Sequence, residues 1–177
     1  MTSMSGEFDS KHFRTVLGHL PTGVSVVTGV NREGVKWGIT IGSVVSVSLD
    51  PPLVGFFPGV GSTSWPQIEQ GGGFCVNVLT ASQDELCWRF AKEPTDGGDR
   101  FDGVPSHLNA SGMPVLEGTL AQIDCSIESV TPAGDHYFVL GRVRELALDV
   151  TAGDAMVFYK SAVTGVVPRR LADVEPR

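Results

Sequence analysis

"AQIDCSIESVTPAGDHYFVLGRVREL" runs from residue 121 to residue 146, and its first third decides the fold class. Ile123, Cys125 and Ile127 fall on one side of an extended chain, while Gln122, Asp124, Ser126 and Glu128 fall on the other. A strict period of two marks a β-strand, because successive side chains of an extended backbone point to opposite faces. A turn at Pro132-Ala133-Gly134-Asp135 then leads into a second strand, 136–146.

The pattern continues towards the N-terminus. "FCVNVL" (74–79) and "TGVSVVTGV" (22–30) are β-rich, and "NREG" (31–34) turns the chain into another strand. "GITIGSVVSVSLDPPLVGFF" (38–57) gives two strands around Asp50-Pro51-Pro52. Helical signals are few. Asp9 is placed to cap a helix carrying Phe13, Val16, Leu17 and Leu20 at helical spacing, with Pro21 as its stop. Ser64 is placed to cap a short helix with Pro66 in its first turn, ending at Gly71-Gly72-Gly73. Ser82 and Glu85 have the spacing of a capping box for a third, 82–91, on which Leu86 and Phe90 share a face. Six to eight strands and about three short helices result. With so few helices to cross between strands, the sheet is mainly antiparallel. A closed or partly closed barrel would remove its edges.

At 177 residues the chain suits one domain with a substantial core. Its expected bounds are residues 9–167, with tails at 1–8 and 168–177. Thirteen basic residues against twenty acidic ones give a net charge of −7. Such a surface repels nucleic acid and anionic membranes. No apolar run is long enough to span a bilayer, and the N-terminus has no basic and apolar leader. Cys75, Cys87 and Cys125 are odd in number, far apart and set in apolar runs. They read as buried free thiols of a reducing cytoplasm. The four histidines are dispersed, so no metal-ligand spacing occurs; nor does a phosphate-binding P-loop, a dinucleotide fingerprint or a nucleophile elbow.

Four stretches stand out. Gly38, Thr40, Gly42, Ser43, Ser46 and Ser48 are small where a core strand would carry larger side chains. They read either as an edge strand facing water or as a surface a flat ligand approaches closely, meeting backbone donors and acceptors. Ser62, Thr63 and Ser64 lead into a helix start, a natural site for a phosphate; the plain alternative is a cap with loop filler. His136 opens a strand after Gly134-Asp135, either as a half-exposed turn residue or at the rim of a pocket. In "DGGDRFDG" (96–103), Arg100 has the reach for a bidentate phosphate contact, and Phe101 reads as a core anchor. Trp65, Trp88 and Phe90 read as core.

In that order, "LPTGVSVVT", "GITIGSVVSVSLDPPLV", "STSW", "GFCVNVL", "DRF", "AGDHYFVLGRV" and "VFYK" make the chain resemble the short-chain flavin reductases, the reductase components of two-component flavin-dependent monooxygenases. The resemblance spans Phe13 to Tyr159. It implies an antiparallel split β-barrel with short flanking helices, a homodimer, FMN or FAD as flavin, and NADH or NADPH as hydride donor. Reduced flavin would then pass to a separate monooxygenase. It lays the isoalloxazine along Thr40, Ile41, Gly42, Ser43, Ser46, Val47 and Ser48. Ser62, Thr63 and Ser64 take the phosphate, and Phe57, Pro58, Arg100, Phe101 and Tyr159 complete the flavin site. His136 stands where the nicotinamide stacks, as a positioning group. Hydride passes from nicotinamide C4 to flavin N5, so no protein nucleophile is required. A flavin store or sensor on the same fold, and an oxidase of a small substrate, are the alternatives.

Three departures from that family's pattern are visible. Ile41-Gly42 stands where Ala-Asn is frequent, Gly61 where a basic residue is frequent, and Lys160-Ser161-Ala162-Val163 where an Arg-Gly-x-Tyr-like segment is frequent.

Overall fold

A computed structural model describes residues 9–92 and 99–166; the expected tails at 1–8 and 168–177 lie outside the described residues. α1 (Ser10–Leu17) begins where the Asp9 carboxylate accepts the Lys11 N–H at 2.9 Å. It stops at Gly18, short of Pro21. β1 (Thr22–Gly23), β2 (Ser25–Val30), β3 (Lys36–Ile41), β4 (Val45–Leu49) and β5 (Pro52–Phe56) follow. Then come α2 (Trp65–Gln70), β6 (Gly73–Val78), α3 (Asp84–Ala91), β7 (Ser106–Leu108) and β8 (Pro114–Leu116). The long pair β9 (Ala121–Ala133) and β10 (His136–Leu148) precedes β11 (Met156–Tyr159) and β12 (Ala162–Gly165).

Ala133 pairs with His136, so Pro132 and Ala133 belong to the strand and the turn is Gly134-Asp135 alone. Gly134 sits at φ +67°, the left-handed conformation that the first position of a tight hairpin turn asks for and glycine adopts freely. The excess over six to eight strands comes from β1, β7, β8, β11 and β12, which are two to four residues long and too short to display a period.

All ladders are antiparallel, and the main sheet has the order β3-β2-β6-β9-β10-β5-β4. Its two edge strands, β3 and β4, are consecutive in the chain and separated only by Gly42-Ser43-Val44. Laid flat, seven strands would put those edges about 29 Å apart. The link from Ile41 to Val45 spans at most about 14 Å. The sheet must therefore curl until its edges approach, while no ladder joins β3 to β4. That is a barrel with an open seam.

Inside the curl, Val27, Ile41, Val54, Phe56, Phe74, Val76, Cys125 and Val139 form one core, with Trp65 and Ile68 of α2 packed into it. Each large side chain buried there contributes roughly 1.5–3 kcal/mol. A second core lies on the outside of the sheet, where Val24, Val26 and Leu79 meet Cys87 and Phe90 of α3, Phe101, Leu116 and Met156. β2 feeds both cores, which explains why its first five residues are all buried. On the outer face of β9, Asp124 is buried, its carboxylate accepting from Arg144 Nε and Nη2 at 2.9 Å each and from the Ser111 hydroxyl at 2.7 Å. Among the described residues no helix is long and apolar enough to cross a membrane.

Candidate functional site

One lip of the seam is built from β4, β5 and the start of β10. The Ser43 hydroxyl accepts the Phe57 N–H at 3.0 Å, tying the link between the edge strands to the end of β5. Phe57 is 37% exposed and stacks on Phe138 with centroids 5.0 Å apart. Pro58 is buried, and its carbonyl accepts the Tyr137 N–H at 2.9 Å; the Val60 N–H donates to the Asp135 carbonyl at 3.0 Å. Gly59 bridges His136. The loop after β5 and the β9–β10 turn are thus laced together by backbone bonds, which unites two stretches 76 positions apart in their His136 and Val60 members.

His136 has a half-exposed ring whose Nδ1 lies 2.8 Å from Asp135 Oδ1. The hydrogen bond from that ring holds the Asp135 carboxyl below the usual carboxylate range. An ionised carboxylate only accepts, so Nδ1 carries the proton and Nε2 is the nitrogen left for a ligand. Ser46 and Val47 are exposed and Ser48 is half-buried on β4, the outer edge of the sheet, with a bulge at Val47. An edge strand leaves one row of backbone groups outside the ladder.

The helix start at Ser62, Thr63 and Ser64 is arranged differently from the expectation. Ser64 makes no cap bond. The cap is Ser62, whose hydroxyl accepts the Trp65 N–H at 3.1 Å. Ser64 is buried, and its hydroxyl accepts from Arg100 Nη1. Arg100 also donates to the Gly38 carbonyl at 3.1 Å and, through Nε, to the Lys92 carbonyl at 3.0 Å. Its guanidinium braces β3 against this loop. Thr63 is exposed at the surface of the loop.

The small residues of β3 have two separate explanations. A Cβ on Gly38 would lie 2.6 Å from the Phe90 ring, so Gly38 is small because α3 presses on it. The Thr40 hydroxyl donates to the Cys87 carbonyl of α3 at 2.7 Å. Ile41 points into the inner core and is 4% exposed. Phe101 is 7% exposed and meets Phe90 edge-on at 5.1 Å. The side chains of Ile41 and Phe101 are therefore core, and neither is presented to a ligand. From Gly42 onward the chain is open: Gly42 is exposed and Ser43 half-buried. Tyr159 lies in the separate β1-β11-β12 sheet, 37% exposed, edge-on to His19 at 6.3 Å, with Lys160 Nζ 5.2 Å from its ring centre.

The seam thus gathers Ser43, Ser46, Val47, Phe57, Pro58, the 59–64 loop and His136. Asp135 and Phe138 belong to this rim and were not singled out in the sequence, although both flank His136. Exposed edge backbone, a half-exposed aromatic pair and few charges suit a flat ring that carries its own donors and acceptors. Among the described residues no three His, Cys, Asp or Glu side chains converge as metal ligands.

The family model described as "Flavin reductase like domain" matches residues 17–166. The chain is 45% identical over 170 residues to a flavin reductase of Pseudomonas putida, covering 93% of this chain and 98% of that one. It is 42% identical over 161 residues to the flavin-dependent monooxygenase reductase subunit HsaB of Rhodococcus jostii, covering 90% and 80%. The solved NADH:FAD oxidoreductase SgcE6 of Streptomyces globisporus, in complex with NAD and FAD fragments, superposes with a TM-score of 0.80 at 31% identity, covering 96% of this chain and all of that one. By its barrel, its seam and these matches, the chain belongs to the flavin reductase-like domain family.

Proposed function

We propose that this protein is an NAD(P)H-dependent flavin reductase that reduces FMN or FAD and supplies reduced flavin to a separate monooxygenase. The observation that carries the reading is the meeting of the β4 edge, the 58–64 loop and His136 at one seam, in a chain of this family. When bound, flavin and nicotinamide supply the hydride chemistry themselves. The chain's task is to bind, orient and exclude water.

The backbone of Gly42 to Ser48 lies along the ring, and the Ser62 to Ser64 loop receives the phosphate. His136, fixed by Asp135, orients the nicotinamide through Nε2. Arg100 supports the phosphate loop by holding Ser64. Gly61 offers that loop no charge, which suits a flavin that must leave after reduction. Residues 9–167 form the reductase domain. The protein works as a homodimer in the cytoplasm, where its three cysteines stay reduced.

The test mixes protein, NADH and free FMN in air and follows NADH absorbance. Catalytic loss is expected. Yellow flavin retained with no turnover would make the chain a flavin-binding protein instead.

A further inference from the structure

The hairpin β7–β8 lies against the outer face of β6, β9 and β10 and leaves a cleft of about 250 Å³ beside them. Gln122 and Asp124 of β9 with Glu145 and Ala147 of β10 form its floor, and His107 and Asn109 stand at its side. The cleft is remote from the seam: Glu145 is nine positions along β10 from His136, up to about 30 Å of extended chain. Glu145 owes its place to a bulge. Val143 pairs with Cys125 and Glu145 with Asp124, so Arg144 is the extra residue. In unbroken register Arg144 would stand opposite Asp124. The bulge gives that place to Glu145, and two carboxylates face each other across the ladder. Arg144 neutralises Asp124 from the other side, where its Nη2 also donates to the Cys125 carbonyl at 2.9 Å and lies 3.0 Å from where a Cβ on Gly73 would be. Glu145 receives no such neutralisation: among the described residues nothing bonds to its carboxylate. Gln122 spends its Nε2 on the Thr119 hydroxyl at 3.3 Å, which leaves its carbonyl oxygen open. Asn109 Oδ1 accepts the Ser111 and Met113 N–H groups, so its amide is an open donor beside these acceptors.

We propose that this cleft binds a small organic cation, an ammonium or guanidinium group on a short apolar stem. The site lies outside the seam and does not depend on the flavin reductase reading. An anion entering it meets two carboxylates. A metal ion finds too few ligands, since among the described residues no three His, Cys, Asp or Glu side chains converge. A neutral ligand leaves Glu145 uncompensated. A cation with several N–H donors answers both open acceptors: Glu145 and Gln122 are diagonal neighbours on one face, roughly 7–8 Å apart at the backbone, a gap that a guanidinium with a hydrogen bond at each end can bridge. Charge makes such bonds stronger than neutral ones. Val115 and Ala147 give the stem an apolar wall. The volume falls below that of sites for whole drug-sized molecules and suits one head group with a few carbons. The net charge of −7 draws cations towards the protein.

The experiment titrates the full chain with n-butylammonium, with n-butylguanidinium and, as an anion of similar shape, with butyrate, following amide NMR shifts. Saturable shifts centred on 107–115, 122–124 and 145–147 are expected for both cations and none for butyrate. Glu145→Gln keeps the shape and removes the charge; it should weaken both cations at least about tenfold and leave the melting temperature unchanged. Ala147→Leu fills the floor without touching a charge and should weaken both as well. Absence of saturable shifts in the wild type, a butyrate response equal to that of the cations, or undiminished cation affinity in either variant overturns the proposal. A shift of sedimentation towards monomer in Glu145→Gln would show that the cleft holds a basic side chain of a second copy, again overturning it.

Discussion

His136 offers a ligand one nitrogen and no freedom to choose which. Asp135 holds Nδ1, and the bridge to Gly59 fixes the backbone beneath it. Because the ring is half-exposed, His136→Ala should leave the melting temperature and flavin affinity nearly unchanged while raising the KM for NADH and lowering turnover. Steady-state kinetics beside a melting curve check this, and unaltered NADH kinetics would remove the residue from the site. Gly38 is the opposite case. Gly38→Ala drives a Cβ into the Phe90 ring and should cost about 1–3 kcal/mol, read from denaturant unfolding. Had its smallness served a ligand, flavin affinity would fall at constant stability. Here lies the limit of what the sequence makes legible. A small residue announces that something approaches closely, and both Gly38 and Gly42 announced it. What approaches Gly38 is an aromatic ring from 52 positions further along the chain, and no local pattern names that partner. The order of the motifs was enough to place Ser43, Phe57 and His136 together, and Phe101 read as the core anchor it is; the 40% exposure of Trp88, which read as core, depends on how α3 lies across the sheet.

Helix ends show the same limit at the scale of elements. The Asp9 cap was legible because it is local and forms as expected. The Ser82–Glu85 box does not form: the Ser82 hydroxyl bonds that of Thr80 at 3.0 Å, and Gln83 spends its side chain on the Thr80 N–H and the Glu117 carbonyl. Thr80 next door and the distant Glu117 carbonyl take these side chains in place of the cap. At α2 the capping hydroxyl is that of Ser62, so Ser62→Ala should destabilise the protein by about 1 kcal/mol in urea. If the loop holds a phosphate, that variant also weakens FMN more than riboflavin; equal weakening would mean that it acts through folding alone. α1 buries no residue, and Val16, Leu17 and Leu20 are 52%, 46% and 61% exposed. Eight residues make a marginal helix without tertiary support. If the proposed homodimer covers this face, Val16→Asp with Leu20→Asp should shift sedimentation towards monomer. An unchanged dimer would place the interface elsewhere.

For the molecule as a whole, the buried thiols set an alkaline limit. Burial, with the charge of Asp124 adding to it, pushes Cys75 and Cys125 up to about 12. The unfolded chain releases those protons near 8.5. Folded protein therefore keeps protons that unfolded protein has lost. The associated stability is complete below about 8.5 and is lost as pH rises towards about 12. Melting temperature should fall steadily from pH 9 upward, and a thiol-exchange reagent at pH 8 should leave both cysteines unmodified until the protein unfolds. The open seam has a consequence of another kind, in the order of assembly. β2 and β6 are paired on both sides, but the β4–β5 hairpin joins the sheet only when Gly55 finds Leu140. Pairings so distant in the chain form slowly. One lip of the seam is thus the late-docking and early-leaving part of the barrel, tethered on its other side by Gly42-Ser43-Val44 and by the Arg100 guanidinium that joins Gly38 to Ser64. Any molecule that grips both lips becomes a staple across the weakest joint of the fold, so the protein is most loosely built when its seam is empty.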